Sequence, residues 1–225
     1  MKNKKKIIRR WKKLLEEIIK DITDLVEIRY VFNEIVSMRK NNEELKKGNI
    51  FWEIFRINYV SSVVLNICRQ IDTDSNSLSL INLLNKILRN PKVITKKWFA
   101  SQYQKNKKGN FKRMMFDKGK ADFENNFGKR NFIRKSMLSS DISKIKHCTR
   151  IIKKFRNKKI AHKDKNLKLK FNINFNDLDK AINILEQITL KYNLLLDQSA
   201  YTDNTLLPTI QYDWKKIFKS PWIKK

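Results

Sequence analysis

The chain has 225 residues, 41% hydrophobic, with four Gly, three Pro and a formal charge of +29 from 51 Lys+Arg against 22 Asp+Glu. That apolar content excludes a disordered chain and supports one ample core or two small ones. So few Gly and Pro leave too little punctuation for a turn-rich all-β fold, and the charge points to a polyanionic partner, nucleic acid being the commonest. An A/T-rich codon bias also enriches Lys, Asn, Ile and Phe, but by itself it raises Glu along with Lys.

Between Ile7 and Met38 apolar residues recur at helical spacing, including Trp11, Leu14, Ile18, Ile22 and Leu25, while Glu16, Glu17 and Lys20 lie off the stripe. This predicts one long amphipathic helix or two in series. The opening "MKNKKKIIRRW" resembles the basic start of a signal peptide, but charges every two or three residues follow it and no apolar core does. No apolar run reaches the roughly 18 residues needed to span a bilayer. A soluble, cytoplasmic protein without membrane contact is expected. Cys68 and Cys148 have no CxxC spacing, which fits free thiols in a reducing compartment and neither structural zinc nor a disulfide.

After the connection "NNEELKKGN", a second helix is predicted over about 50–70 through Ile54, Ile57, Val63, Val64 and Ile67. "DTDSNS" (Asp72 to Ser77) is a loop of side chains that favour caps, opening a third helix, "LSLINLLNKIL", which Asn90-Pro91 closes.

Residues 93–136 differ from the rest: three of the four glycines fall there, helical periodicity is weak, and lysines alternate with aromatic rings. Lys107, Lys108, Lys112 and Arg113 are candidates for nucleic-acid binding, since cations meet phosphates while rings stack on bases. The alternative is an insertion whose rings pin it to the core; most rings fit that reading and most lysines the first. Ser140 or Asp141 is the expected N-cap of a following helix through Ile142, Ile145, Cys148, Ile152 and Phe155. "KDKNLKLKFNINF" alternates as a short strand or an extended loop would, and Asp177 is expected to cap a last long helix. A tail from Ser199 carries Trp214, Phe218 and Trp222 four apart, an amphipathic unit suited to docking on the core or a sister chain. An all-α fold in a single domain over 1–225 is expected, with a C-terminal extension at about 199–225.

No P-loop, dinucleotide-binding glycine pattern, HExxH or GxSxG is present, and the few carboxylates are scattered along helix flanks. What remains is Arg156-Asn157-Lys158-Lys159-Ile160-Ala161-His162. An imidazole can take a proton from a hydroxyl or return one to a leaving oxygen, and a guanidinium can stabilise charge developing on a phosphate. RNA supplies its own nucleophile, the 2′-OH, so such a site needs neither metal nor cofactor. In an ideal helix the Arg156 and His162 side chains stand about 120° and about 9 Å apart, and Arg156, eleven residues after Ile145, falls on the buried side. Either the helix ends between them or the site is assembled from two chains about a twofold axis; both are expected. An Arg capping helix carbonyls beside a solvent-facing His is the competing explanation. Lys158, Lys159 and Lys163 are further candidate phosphate contacts. His147 has no arginine at that spacing and falls opposite the buried stripe.

Arg156, Asn157 and His162 resemble the motif of the HEPN superfamily. "FRNKKIAHKD", with the upstream "CRQIDTDSNSLSLINLL", is similar to its abortive-infection, AbiU-type branch, in scattered patches over about residues 50–195. That branch pairs an Arg-x-x-Asp segment with the later motif, which here gives Arg69 and Asp72 as supporting residues. The resemblance implies a HEPN-like helical bundle, a homodimer that brings two motifs together, and a metal-independent endoribonuclease leaving a cyclic phosphate. It further implies a phage-defence or toxin–antitoxin setting with an antitoxin or defence-system partner. His162 would then be general base or acid, Arg156 would stabilise the scissile phosphate, and Asn157 would orient one of them. HEPN toxins silenced by a nucleotidyltransferase carry tyrosine two positions after the histidine; this chain has Asp164, which could instead hydrogen-bond the imidazole. The rival functions are a non-catalytic nucleic-acid-binding helical module and a partner subunit of a defence complex.

Overall fold

The computed structural model describes residues 2–161, 173–210 and 212–219. The stripe at the N-terminus becomes one unbroken helix, α1 (Lys2–Lys40), about 58 Å long at 1.5 Å per residue. Its buried positions, Trp11, Leu14, Leu15, Ile18, Ile22 and Leu25, are those of the sequence pattern. After a short α2 (Glu43–Lys46) come α3 (Ile50–Gln70), which starts where Asn49 accepts a hydrogen bond from the Trp52 amide, and α4 (Leu80–Arg89). Between them Asp72 and Asp74 accept from the amides of Asp74 and Asn76, and Ser79 caps α4 by accepting from the Asn82 amide. Asn90 and Pro91 then end α4 as expected, in a single 3-10 turn.

The bundle closes with α7 (Lys135–Phe155) and α8 (Phe175–Asp197), and α4 braces α1 against α7. Long-range pairs fix the directions. Lys12 meets Asp197 at 2.7 Å while Arg29 reaches Asn183 and Glu186, so α1 and α8 run antiparallel. Gln70 donates to Asp21 at 2.8 Å while Phe32 stacks on Tyr59, which sets α3 antiparallel to α1 as well. Glu186 also accepts from the Thr205 hydroxyl and the Leu206 amide, strapping the C-terminal segment to α8. Further on, Trp214 meets the edge of Tyr30 and Lys215 pairs with Glu34, so this part of the tail docks on α1.

Three expected caps fall elsewhere. That of α4 is Ser79 and none of residues 72–77, so the helix opens at Leu80 and not at Leu78. Asp141 does not start α7; it sits inside it, buried, where its carboxylate accepts from the Lys191 ammonium at 2.6 Å and the Tyr192 hydroxyl at 3.0 Å. Burial and that neighbouring carboxylate push the Tyr192 phenol far up. Asp177 is the third residue of α8, and the cap is Asn174; the two exchange hydrogen bonds as a capping box. The strand-like alternation after His162 lies almost wholly outside the described residues. Among the described residues there is no strand, only one antiparallel bridge between Thr95 and Phe132, and no helix long and apolar enough to cross a membrane.

The segment of weak periodicity is a helical hairpin of α5 (Lys96–Tyr103) and α6 (Gly109–Phe127). Phe99, Phe123 and Phe127 are wholly buried, with centroids 5.3–6.0 Å apart, and pin the hairpin along one narrow seam. The rest of α6 faces water, which dilutes the apolar repeat. At the base, Lys96 donates to Glu124 at 2.6 Å and holds its carboxyl below the usual range. The seam is tightest at Gly119, where an added Cβ would lie 2.8 Å from the Ala100 Cα. Gly119→Ala therefore forces the helices apart and should cost about 1–3 kcal/mol in a denaturant melt. Gly48→Ala, with nothing within 4 Å, should not.

Candidate functional site

The apolar stripe of α7 runs through Leu138, Ile142, Ile145, Thr149 and Ile152 to Arg156. There the α-helix gives way to a π-helical turn, Arg156–Ala161. Such turns widen the helix and relax the side-chain spacing of a regular one, and they recur at functional sites. The expected end of the regular helix between Arg156 and His162 thus takes the form of a change in helix type.

Arg156 is half-buried at the end of the core stripe. Its Nε and Nη2 both donate to the Asn157 side-chain oxygen, at 2.9 and 2.7 Å. Next to it lies the last turn of α3. Burial pushes the Cys68 thiol up, and the nearby charges of Arg156 and Lys153 oppose that shift, so both cations lie near this end of α3. Among the described residues no carboxylate pairs with Arg156. Three of its five donors are left over for an anion.

Arg69 and Asp72 stand at the same end of α3, where the Asp72 amide donates to the Arg69 carbonyl, but their side chains do not pair with each other. Arg69 makes an ion pair with Asp21 at 3.5 Å and donates to Asn66, and Asp72 accepts from the Asp74 amide. Asp21 and Gln70 carry no signal in the sequence, yet they fix this corner. Gln70 is 1% exposed, donates to Asp21 and accepts from the Leu80 amide at 3.2 Å, locking the end of α3 to the start of α4.

Lys158 and Lys159 are exposed on the π turn; His162, Lys163 and Asp164 lie outside the described residues. Lys107, Lys108, Lys112 and Arg113 are exposed where α5 turns into α6, with Lys107 over the ring of Phe111. The structure therefore joins Arg156 to Asn157 and puts them near Cys68, while Arg69 turns to Asp21 and the hairpin cations form a separate group. His147 is exposed, as its position predicts. Among the described residues no three imidazole, thiol or carboxylate side chains gather as a metal site would require.

Gln70→Leu removes both of that residue's bonds while keeping its bulk, so it should lower stability by about 1–3 kcal/mol in a denaturant melt. An unchanged midpoint would mean that the corner is held by packing alone.

No curated protein and no solved structure matches the chain. A family model, AbiU2 of the HEPN group, matches residues 4–217, nearly the whole sequence and including both the α5–α6 hairpin and most of the C-terminal segment. The helical bundle, the Arg156-Asn157 pair on its π turn and a match of that extent agree: the chain belongs to the AbiU2 family of abortive-infection HEPN-domain proteins.

Proposed function

We propose that this protein is a metal-independent endoribonuclease whose working site is shared by two copies of the chain. The Arg156–Asn157 couple carries the reading: a guanidinium held in orientation by a neutral amide, half-buried and with no carboxylate partner among the described residues, is prepared for a phosphate. The imidazole of one His162 takes the proton of the ribose 2′-OH. The 2′-oxygen bonds to phosphorus, Arg156 stabilises the added negative charge, and the P–O5′ bond breaks. The second copy's His162, protonated, gives its proton to the departing 5′-oxygen, leaving a 2′,3′-cyclic phosphate and a 5′-hydroxyl. Asp164 hydrogen-bonds the imidazole in this reading, and Arg69 and Asp72 border the strand. The family supports a setting in phage defence, where such cleavage in a toxin–antitoxin pair is held in check by a partner.

α3 supplies a surface for the second copy. Ile50, Ile54, Ile57 and Leu65 are 45–75% exposed and line one side of the helix. The same side continues to Cys68, which lies under the Arg156 turn. Between Ile50 and Ser62 the only charges are Glu53 and Arg56, which cancel. Two molecules of +29 each repel nearly everywhere, and a neutral, apolar face is where they can meet. Parallel pairing of the two stripes carries both Arg156 residues to one end of the interface.

The test is RNA cleavage in EDTA. His162→Ala should lower the rate roughly 10²–10⁴-fold and Arg156→Ala about 10²–10³-fold, with Asn157→Ala falling between Arg156→Ala and the parent. A magnesium requirement, or cleavage that survives His162→Ala, would overturn the nuclease. RNA binding without cleavage by any form would favour the rival grip, for which the hairpin cations beside the exposed Phe111 and Met114 speak.

Ile54→Glu combined with Ile57→Glu should give a monomer by sedimentation, with little change in melting temperature and with cleavage lost. A persistent dimer, or a monomer of full activity, would contradict the shared site.

A further inference from the structure

Beside its buried stripe, α7 has a second ordered face. Lys146, Arg150, Lys153 and Lys154 recur at i, i+4, i+7 and i+8 on one flank, all exposed, and Asn157 continues the row. From Lys146 to Asn157 the row spans about 16 Å, with a cation at each turn of about 5–6 Å. That step is close to the separation of adjacent phosphates in an extended strand. The row ends beside Arg156, and the charges of Lys153 and Arg156 are both felt at Cys68 in the last turn of α3.

Ion pairing sets this flank apart from the paired parts of α6 and α1. On α6, Lys118 and Lys120 pair with Asp122 and Asp117, and on α1 Lys20 pairs with Glu17. Among the described residues none of the four α7 cations has such a partner. The one acid of α7, Asp141, is buried and already bound to Lys191 and Tyr192. Lys146 with Arg150, and Arg150 with Lys154, are like-charge pairs four apart, an arrangement that weakens a helix. A polyanion laid along the flank removes that repulsion. No aromatic ring stands in the row, so it suits a backbone and not base edges.

We infer that this flank of α7 is the substrate track, along which a single RNA strand rests consecutive phosphates on Lys146, Arg150 and the Lys153–Lys154 pair and presents the next one to Arg156. The inference rests on the nuclease reading for its destination, but the track itself is a binding site and is tested as one. The full chain carrying His162→Ala, which leaves the strand uncut, is titrated with a short fluorescent single-stranded RNA over a series of KCl concentrations. Each phosphate contact contributes about 0.7 to the slope of log affinity against log salt. Arg150→Gln with Lys154→Gln should therefore reduce the slope by about 1.4, with no loss of melting temperature. Lys118→Gln with Lys120→Gln, whose lysines are already paired, should leave it unchanged.

Equal slopes for the track variant and its parent would overturn the proposal. So would the same fall from the control pair, which would mean a diffuse field. Tighter binding of polyglutamate than of RNA would assign the flank to an acidic protein instead. If the slopes follow expectation while the parent chain with His162 intact cuts no RNA, the nuclease reading fails and the track stands. Cleavage with unaltered slopes fails the track alone.

Discussion

A guanidinium carried to the edge of an apolar core is the constraint around which this molecule is arranged. The register of α7, set by Leu138, Ile142, Ile145 and Ile152, brings Arg156 to the buried side, where a lone charge is costly unless it is satisfied. Asn157 answers two donors through a neutral oxygen, and among the described residues no carboxylate compensates the charge itself. A carboxylate in that place would have made a stable internal ion pair and closed the site to phosphate. The π turn allows neighbouring side chains to leave the helical spacing at that point, while the Gln70–Asp21–Leu80 bonds hold the opposing wall, the end of α3, in place.

Charge and apolar surface divide the exterior between two tasks. A molecule this cationic binds polyanions readily but associates with itself only where its own field is weak. The flank of α7 is dense in cations that have no ion-pair partner among the described residues, whereas the outer side of α3 is apolar and nearly neutral. Both lead to the Arg156 turn from different helices. On the proposed reading, RNA and a second copy reach the same corner without competing for surface, which a shared site requires.

Much of this was legible in the sequence because core burial dominates the helical period. The α1 stripe, the extent of α3, the end of α4 and the placement of Arg156 on the buried side follow from apolar spacing and from Pro91 as punctuation, whereas the caps Asn49 and Ser79 carried no such signal. Asp141 misled because an acid after two serines reads as a cap; its tertiary partners Lys191 and Tyr192, fifty residues on, leave no local trace. The hairpin was hidden because its seam is only as wide as Phe99, Phe123, Phe127 and the close approach at Gly119. Arg69 and Asp72 look like a pair in the chain, but Arg69 turns to Asp21 on another helix. His162 was singled out by its chemistry and spacing alone, and it lies outside the described residues.

The central claim is that an arginine and a histidine cleave RNA through the strand's own hydroxyl. The most direct measurement uses paired oligonucleotides, one all-ribose and one with a single 2′-deoxy residue at the mapped cleavage position, incubated with the full chain in EDTA. The account predicts that the ribose strand yields a fragment ending in a 2′,3′-cyclic phosphate and that the deoxy-substituted strand stays intact at that bond. Cleavage of the deoxy strand at the same bond, or products without a cyclic phosphate intermediate, would contradict it.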